Sequence, residues 1–269
     1  MQLTYLTFTA PRRDDDAFAS YKNRNKAALK NQELNPNVAF SDSIQAGIYM
    51  KHPRIIRIKA DMVDQMDYDK ILSMYQDRFK DASDFTFIFV GNVDVEKMKP
   101  VIAEYLGALP AVNRKETFKD NKIEMRQGIY KNEFTKQQET PKASVFAFYN
   151  GDCKYDLRNN LLLSMTSQIL DLVYTEKVRE DEGGTYGVYV GGTLQKYPKE
   201  KAILQIIFDT APEKKEKLMK IIFGEIDNIT KTGPSEANLN KVKEYMLKKH
   251  TEDLKENSYW LGSIDEYLY

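Results

Sequence analysis

The chain has 269 residues, enough for two units of roughly 100 to 150 residues each, and its 40 basic and 40 acidic side chains cancel. Mixed along the chain, those charges create no single-sign field for a nucleic acid or an anionic membrane surface. The single cysteine, Cys153, excludes an intrachain disulfide, a cysteine-rich zinc site and a Cys-x-x-Cys redox motif.

The longest apolar runs, such as Phe85 to Val90, fall far short of the ~20 residues that span a bilayer, so no membrane span is expected. The opening MQLTYLTFTAPRR has neither a basic n-region nor a long apolar h-region and reads as neither a signal nor a transit peptide.

Residues 3 to 10 alternate and are rich in Thr, Tyr and Phe, which predicts a strand closed by Pro11. A helix is predicted to start at Asp14 to Asp16, acidic residues that suit a helix N-terminus, and to end at Asn35-Pro36. Residues 37 to 60 read as short helical pieces and loop. Residues 67 to 81 place Ile71, Leu72, Tyr75 and Phe79 on one helical face. FTFIFVGN, residues 85 to 92, is apolar on both faces and reads as a central strand, followed by a helix capped by Asp94 that ends at Gly107.

Residues 111 to 128 are polar and weakly periodic and mark the predicted boundary. The expected units are therefore residues 1–112 and 129–269, joined by a linker at 113–128. In the second unit strands are predicted at 129 to 135 and 143 to 149, then a long helix at 157 to 181 stopped by Gly183-Gly184. TYGVYVGGTL and AILQIIFD (202 to 209) form a predicted strand pair with a turn near Pro198. Helices follow at 213 to 231, from Ser235 to about Asn257, and from Ser258 onward.

Thr9-Ala10-Pro11 recurs as Thr210-Ala211-Pro212, each time between an apolar segment and a charged helix start. That recurrence predicts a duplicated unit of about 200 residues. The chain then holds the later part of one repeat and the earlier part of the next, both incomplete. Neighbouring strands separated by helix pairs predict an α+β fold, mostly antiparallel sheets with helices packed on one face.

The segment KVREDEGGTYGV, residues 177 to 188, carries an Arg at a predicted helix end and a Tyr seven residues later at the start of a strand. It resembles the C-terminal signature of the pitrilysin and insulysin family of zinc peptidases, the inverzincins. Residues 85 to 110 resemble the strand, helix and Leu-Pro exit that close one repeat of that family. The resemblance implies a tandem repeat of an αβ-roll type unit.

The family also carries a His-x-x-Glu-His zinc motif on a helix. It has no counterpart here: the two histidines, His52 and His250, lie 198 residues apart. The resemblance implies that this chain has no metal site or cofactor of its own and is the non-zinc C-terminal half of a bacterial-type zinc endopeptidase. Zinc would lie in an N-terminal half, in the same protein or in a partner subunit, and a peptide would be the substrate.

It further implies that Tyr186 donates to the oxyanion that forms on a cleaved peptide carbonyl, worth roughly 3 kcal/mol for comparable donors. Arg179, planar and always charged, would bind substrate carbonyls or hold the phenol. Gly183, Gly184 and Gly187 lack Cβ and would let backbone or substrate approach, and a nearby edge strand would pair with an extended peptide. Bacterial relatives imply a periplasmic or cell-envelope location.

Plainer readings stand beside these. Arg179 in a last helical turn also compensates the helix dipole, and a lone strand Tyr is usually a packing residue. Cys153 has no nearby histidine in NGDCKYD, His250 continues the stripe Leu239, Val242 and Met246, and the sequon Asn228-Ile-Thr230 falls inside a helix. A functional alternative is a non-catalytic subunit or assembly protein of the same fold that pairs with a separate zinc-bearing chain. A plain peptide-binding module is a third.

Overall fold

A computed structural model describes residues 1–180 and 187–268, without the side chains of Arg179 and Glu180. In chain order the helices are α1 (Gln2–Thr9), α2 (Asp15–Glu33), α3 (Pro36–Tyr49), α4 (Tyr68–Phe79) and α5 (Val95–Tyr105). After them come β1 (Ala143–Asp152), α6 (Leu157–Tyr174), β2 (Val188–Gln195) and β3 (Lys201–Thr210). The last elements are α7 (Lys215–Thr232), α8 (Glu236–Asp253) and α9 (Asn257–Leu268). A 3₁₀ segment spans Ala60–Gln65, and a π-helical turn, Thr175–Glu180, follows α6 directly.

The chain divides into two compact units. One comprises Met1–Asn35, Arg57–Asn121 and Thr251–Tyr269, the other Pro36–Ile56 and Lys122–His250.

In the first unit, aspartates start the helices by accepting backbone N–H groups: Asp14 from Ala17, Asp67 from Lys70 and Asp94 from Lys97. An aromatic group fills its interior. The Phe8 ring lies 5.0 Å from Phe79, 4.8 Å from Phe85 and 6.1 Å from Phe87, and Phe79 stacks on Tyr75 at 4.4 Å.

Two predicted strands are corrected here. The segment predicted at residues 3 to 10 lies in helix α1, Gln2–Thr9, whose Phe8 is buried and whose Thr7 carbonyl accepts the Tyr75 hydroxyl at 2.7 Å. Residues 85 to 92 have no ladder partner and carry no strand. A strand exists only where its N–H and C=O groups pair, and α1 satisfies its own within the helix. The aromatic residues that suggested strands reach the same interior without one.

The second unit is built on a three-stranded antiparallel sheet of order β1-β3-β2. Val145 and Val188 both lie opposite Phe208, while Ala147 and Val190 lie opposite Ile206. Those side chains and Leu204 share one face, the face that packs with Leu170, Tyr174 and Val178 and with Leu218 and Ile222 of α7. Ile206 and Val178 are fully buried. The fold is α+β, with helices packed against one sheet face.

Gly192 of β2 marks a close approach to α6, since a Cβ there would lie 2.9 Å from Leu163 Cγ and also collide with Ser167. Gly233 ends α7 at φ 77°, its N–H bonded to the Ile229 carbonyl at 2.9 Å. A second cluster joins Ile169 and Val173 to Val242 of α8.

Further corrections concern residues 129 to 135, which are not a strand, and residues 36 to 49, which form one helix rather than short pieces. The two Thr-Ala-Pro tripeptides close different elements, α1 in one case and β3 in the other. His250 is exposed, because the buried stripe of α8 ends at Met246.

Candidate functional site

Helix α6 begins where Asp156 accepts the Asn159 N–H at 2.8 Å, and its apolar face runs down to Tyr174. There the α-helical pattern gives way to the π-helical turn Thr175–Glu180, which includes the backbone of Arg179. Three contacts hold this region to α7. The Tyr174 hydroxyl donates to the Ile222 carbonyl at 3.0 Å, Val178 is 0% exposed, and Lys177 Nζ donates to Glu225 Oε1 at 2.6 Å. Burial pushes the Tyr174 phenol up, and the nearby Tyr149 and Glu225 add to the effect.

Beyond the undescribed segment the chain resumes at Gly187, and Val188 enters the sheet opposite Phe208. Val178 and Val188, ten positions apart, belong to one buried cluster, so both flanks of the predicted motif are anchored in one core. Of the predicted site residues, Tyr186, Gly183 and Gly184 lie outside the described residues, as does the Arg179 side chain. Among the described residues, a Cβ on Gly187 would meet nothing within 4 Å. Among the described residues β2 pairs only with β3, which leaves its other edge for a further strand.

Among the described residues no three His, Cys, Asp or Glu side chains group as a metal site. His52 uses Nδ1 to accept the Arg54 N–H at 3.2 Å, and Cys153 is a free thiol 3.8 Å from the Lys154 carbonyl. The sequon Asn228-Ile-Thr230 lies inside α7, where the Thr230 hydroxyl is bonded to the Ile226 carbonyl. Among the described residues no helix is long and apolar enough to cross a membrane.

In the first unit a cleft of about 210 Å³ is lined by Arg78, Asp81, Asp84, Phe85, Arg114 and Glu116. Arg78, Asp81, Arg114 and Glu116 are engaged in structure. Arg78 and Arg114 both pair with Glu116 at 2.7 Å. Asp81, 4% exposed, accepts the Ser83 hydroxyl at 2.6 Å and the N–H groups of Ser83, Val112 and Arg114. The Ser83 hydroxyl, then these N–H groups, hold its carboxyl well below the usual range, against an opposing effect of burial.

Sequence reasoning missed Tyr174, Lys177 and Glu225. Lys177 and Glu225 lie 48 positions apart on different helices, and no local pattern links them.

The family model described as the peptidase M16 inactive domain matches residues 65–246. A relative named zinc protease PQQL-like, from Arabidopsis thaliana, is 21% identical over 98% of this chain and 29% of its own length. The crystal structure of the periplasmic protease PqqL from Escherichia coli superposes with a TM-score of 0.83 at 20% identity, over 99% of this chain and 29% of that one. The ferredoxin protease FusC, solved in complex with Arabidopsis ferredoxin, superposes with a TM-score of 0.72 at 14% identity, over 94% of this chain and 27% of that one. At these identities the superpositions establish the fold. This chain spans 29% of the length of the Arabidopsis relative.

Proposed function

This chain belongs to the peptidase M16 inactive-domain family, and from that premise we propose that it is the substrate-holding half of a zinc endopeptidase. The zinc-bearing half would be supplied by the same protein or by a partner subunit, and the substrate would be a peptide or an unfolded polypeptide. The proposal includes a division of the sequence into parts of two repeats, residues 1–112 and 129–269 with a linker at 113–128, which is distinct from the compact units, where 36–56 group with the later residues and 251–269 with the earlier ones.

Cleavage of a peptide bond places negative charge on the carbonyl oxygen, and a fixed O–H donor lowers the energy of that state. Tyr186 is assigned as this donor. Arg179 is assigned to substrate carbonyls, for which its rigid fork of N–H groups is suited. Gly183 and Gly184 give room for the approaching peptide backbone. The observation that carries the reading is the anchoring of both flanks of this segment, Val178 and Val188, in one buried cluster within the family match. Among the described residues β2 has one edge without a strand partner, which supports strand-like pairing with an extended peptide.

PqqL of Escherichia coli is described as periplasmic, which favours a periplasmic or envelope location for this protein as well.

The test measures peptide cleavage by the full-length protease, in which this chain is assembled with the zinc-bearing half. Arg179→Ala and Tyr186→Phe should each lower kcat/KM at least about tenfold with zinc content unchanged, the mark of lost transition-state contacts. Unchanged turnover in both would remove the assignment.

A further inference from the structure

We infer that Lys177 and Glu225 are a positioning pair that sets the π-helical turn containing the Arg179 backbone, an inference that rests on the substrate-contact reading above.

A helix continues in α form unless tertiary contacts favour another path, and π-helical turns are rare and concentrate at functional sites. Here the change begins at Thr175, immediately after Tyr174 bonds to the Ile222 carbonyl. Two kinds of contact follow. Val178 is buried against Leu218 and Ile222, and Lys177 is bonded to Glu225 at 2.6 Å.

These contacts act differently. Apolar burial is non-directional, so Val178 fixes how close the turn lies to α7 but not how it is rotated. A charge-assisted hydrogen bond is directional and supplies that missing constraint. Ile222 and Glu225 are three residues apart on α7, so Tyr174 and Lys177 meet neighbouring positions of one helical face.

Glu225 is the more buried partner, its side chain 16% exposed against 44% for Lys177. Removing the lysine therefore leaves a largely buried carboxylate without its cation, which favours a shifted turn. Arg179 is two residues beyond Lys177, so a rotation there moves the Arg179 backbone directly. Displacements of about 1 Å in a positioning group suffice to cost a large factor in rate.

The experiment uses the full-length protease, with peptide turnover, zinc content and thermal midpoint as readouts. Lys177→Met and Glu225→Gln should each lower kcat/KM about fivefold, while Lys177→Arg should stay within about twofold of the parent. Zinc content should be unchanged in all three, and the thermal midpoint should fall most in Lys177→Met, which leaves Glu225 without its cation. In an Arg179→Ala background, Lys177→Met should cause no further loss, because the pair acts through the arginine. If Lys177→Met leaves turnover unchanged, or its loss adds in full to that of Arg179→Ala, the positioning inference is overturned while the role of Arg179 stands. If Arg179→Ala alone costs nothing, the substrate-contact reading fails and takes this inference with it.

Discussion

The Tyr174 hydroxyl donates to the Ile222 carbonyl at 3.0 Å, a buried polar bond between α6 and α7 that crosses 48 positions of sequence. The ring around that hydroxyl is 1% exposed, so water offers no substitute partner.

Tyr174→Phe keeps the ring and removes the donor. It should lower stability by about 1 to 2 kcal/mol, since the Ile222 carbonyl loses its side-chain partner. Urea denaturation of the two chains measures the difference, and an unchanged midpoint would show that this bond contributes nothing net.

Gly192→Ala tests the close approach of β2 to α6. The new methyl would meet Leu163 and Ser167 at the helix surface, and the packed core cannot yield without shifting α6. A loss of about 1 to 3 kcal/mol is expected in the same measurement. Gly151→Ala, where a Cβ would meet nothing within 4 Å among the described residues, is the control for packing and should change stability much less.

Ile206→Ala and Ile203→Ala compare the two sheet faces. Ile206 is fully buried in the cluster with Leu170 and Phe208, whereas Ile203 is partly exposed on the opposite face. The first should cost about 2 to 5 kcal/mol and the second about 1 kcal/mol. Equal losses would mean that both faces are packed alike.

Acid denaturation should depend on Asp81. Its carboxyl is held below its ordinary range by the Ser83 hydroxyl and three backbone N–H groups, so the folded state favours the ionised form. A carboxyl depressed on folding contributes stability that is present above its unfolded pKa, about 3.9. That contribution is lost as pH falls through the lower folded value. Asp81→Asn should therefore be less stable at neutral pH and show a shallower decline below about pH 4. Parallel stability curves for the two chains would contradict this.

Local chemistry made much of the helical framework legible. Asp14 and Asp94 are helix starts because a carboxylate satisfies an N–H that the helix cannot, and Gly233 is a stop because it adopts positive φ. The strands predicted at 143–149 and 202–209 fall within β1 and β3, because runs rich in Val, Ile and Phe suit a strand. The aromatic segments at 3–10 and 85–92 misled because strand and helix bury such side chains equally well when only neighbours in sequence are considered.

The sequence alone determined the signature Arg179 to Tyr186 and the lack of a His-x-x-Glu-His motif, since both are matters of residue type and spacing. Tertiary structure alone decided that α1 is a helix, that a π-helical turn carries Arg179, and that Lys177 meets Glu225. The physical reason is the range of the interactions. Caps, stops and periodicity are settled within a few residues of chain. Ladders, buried bonds and ion pairs depend on groups that only the folded chain brings together.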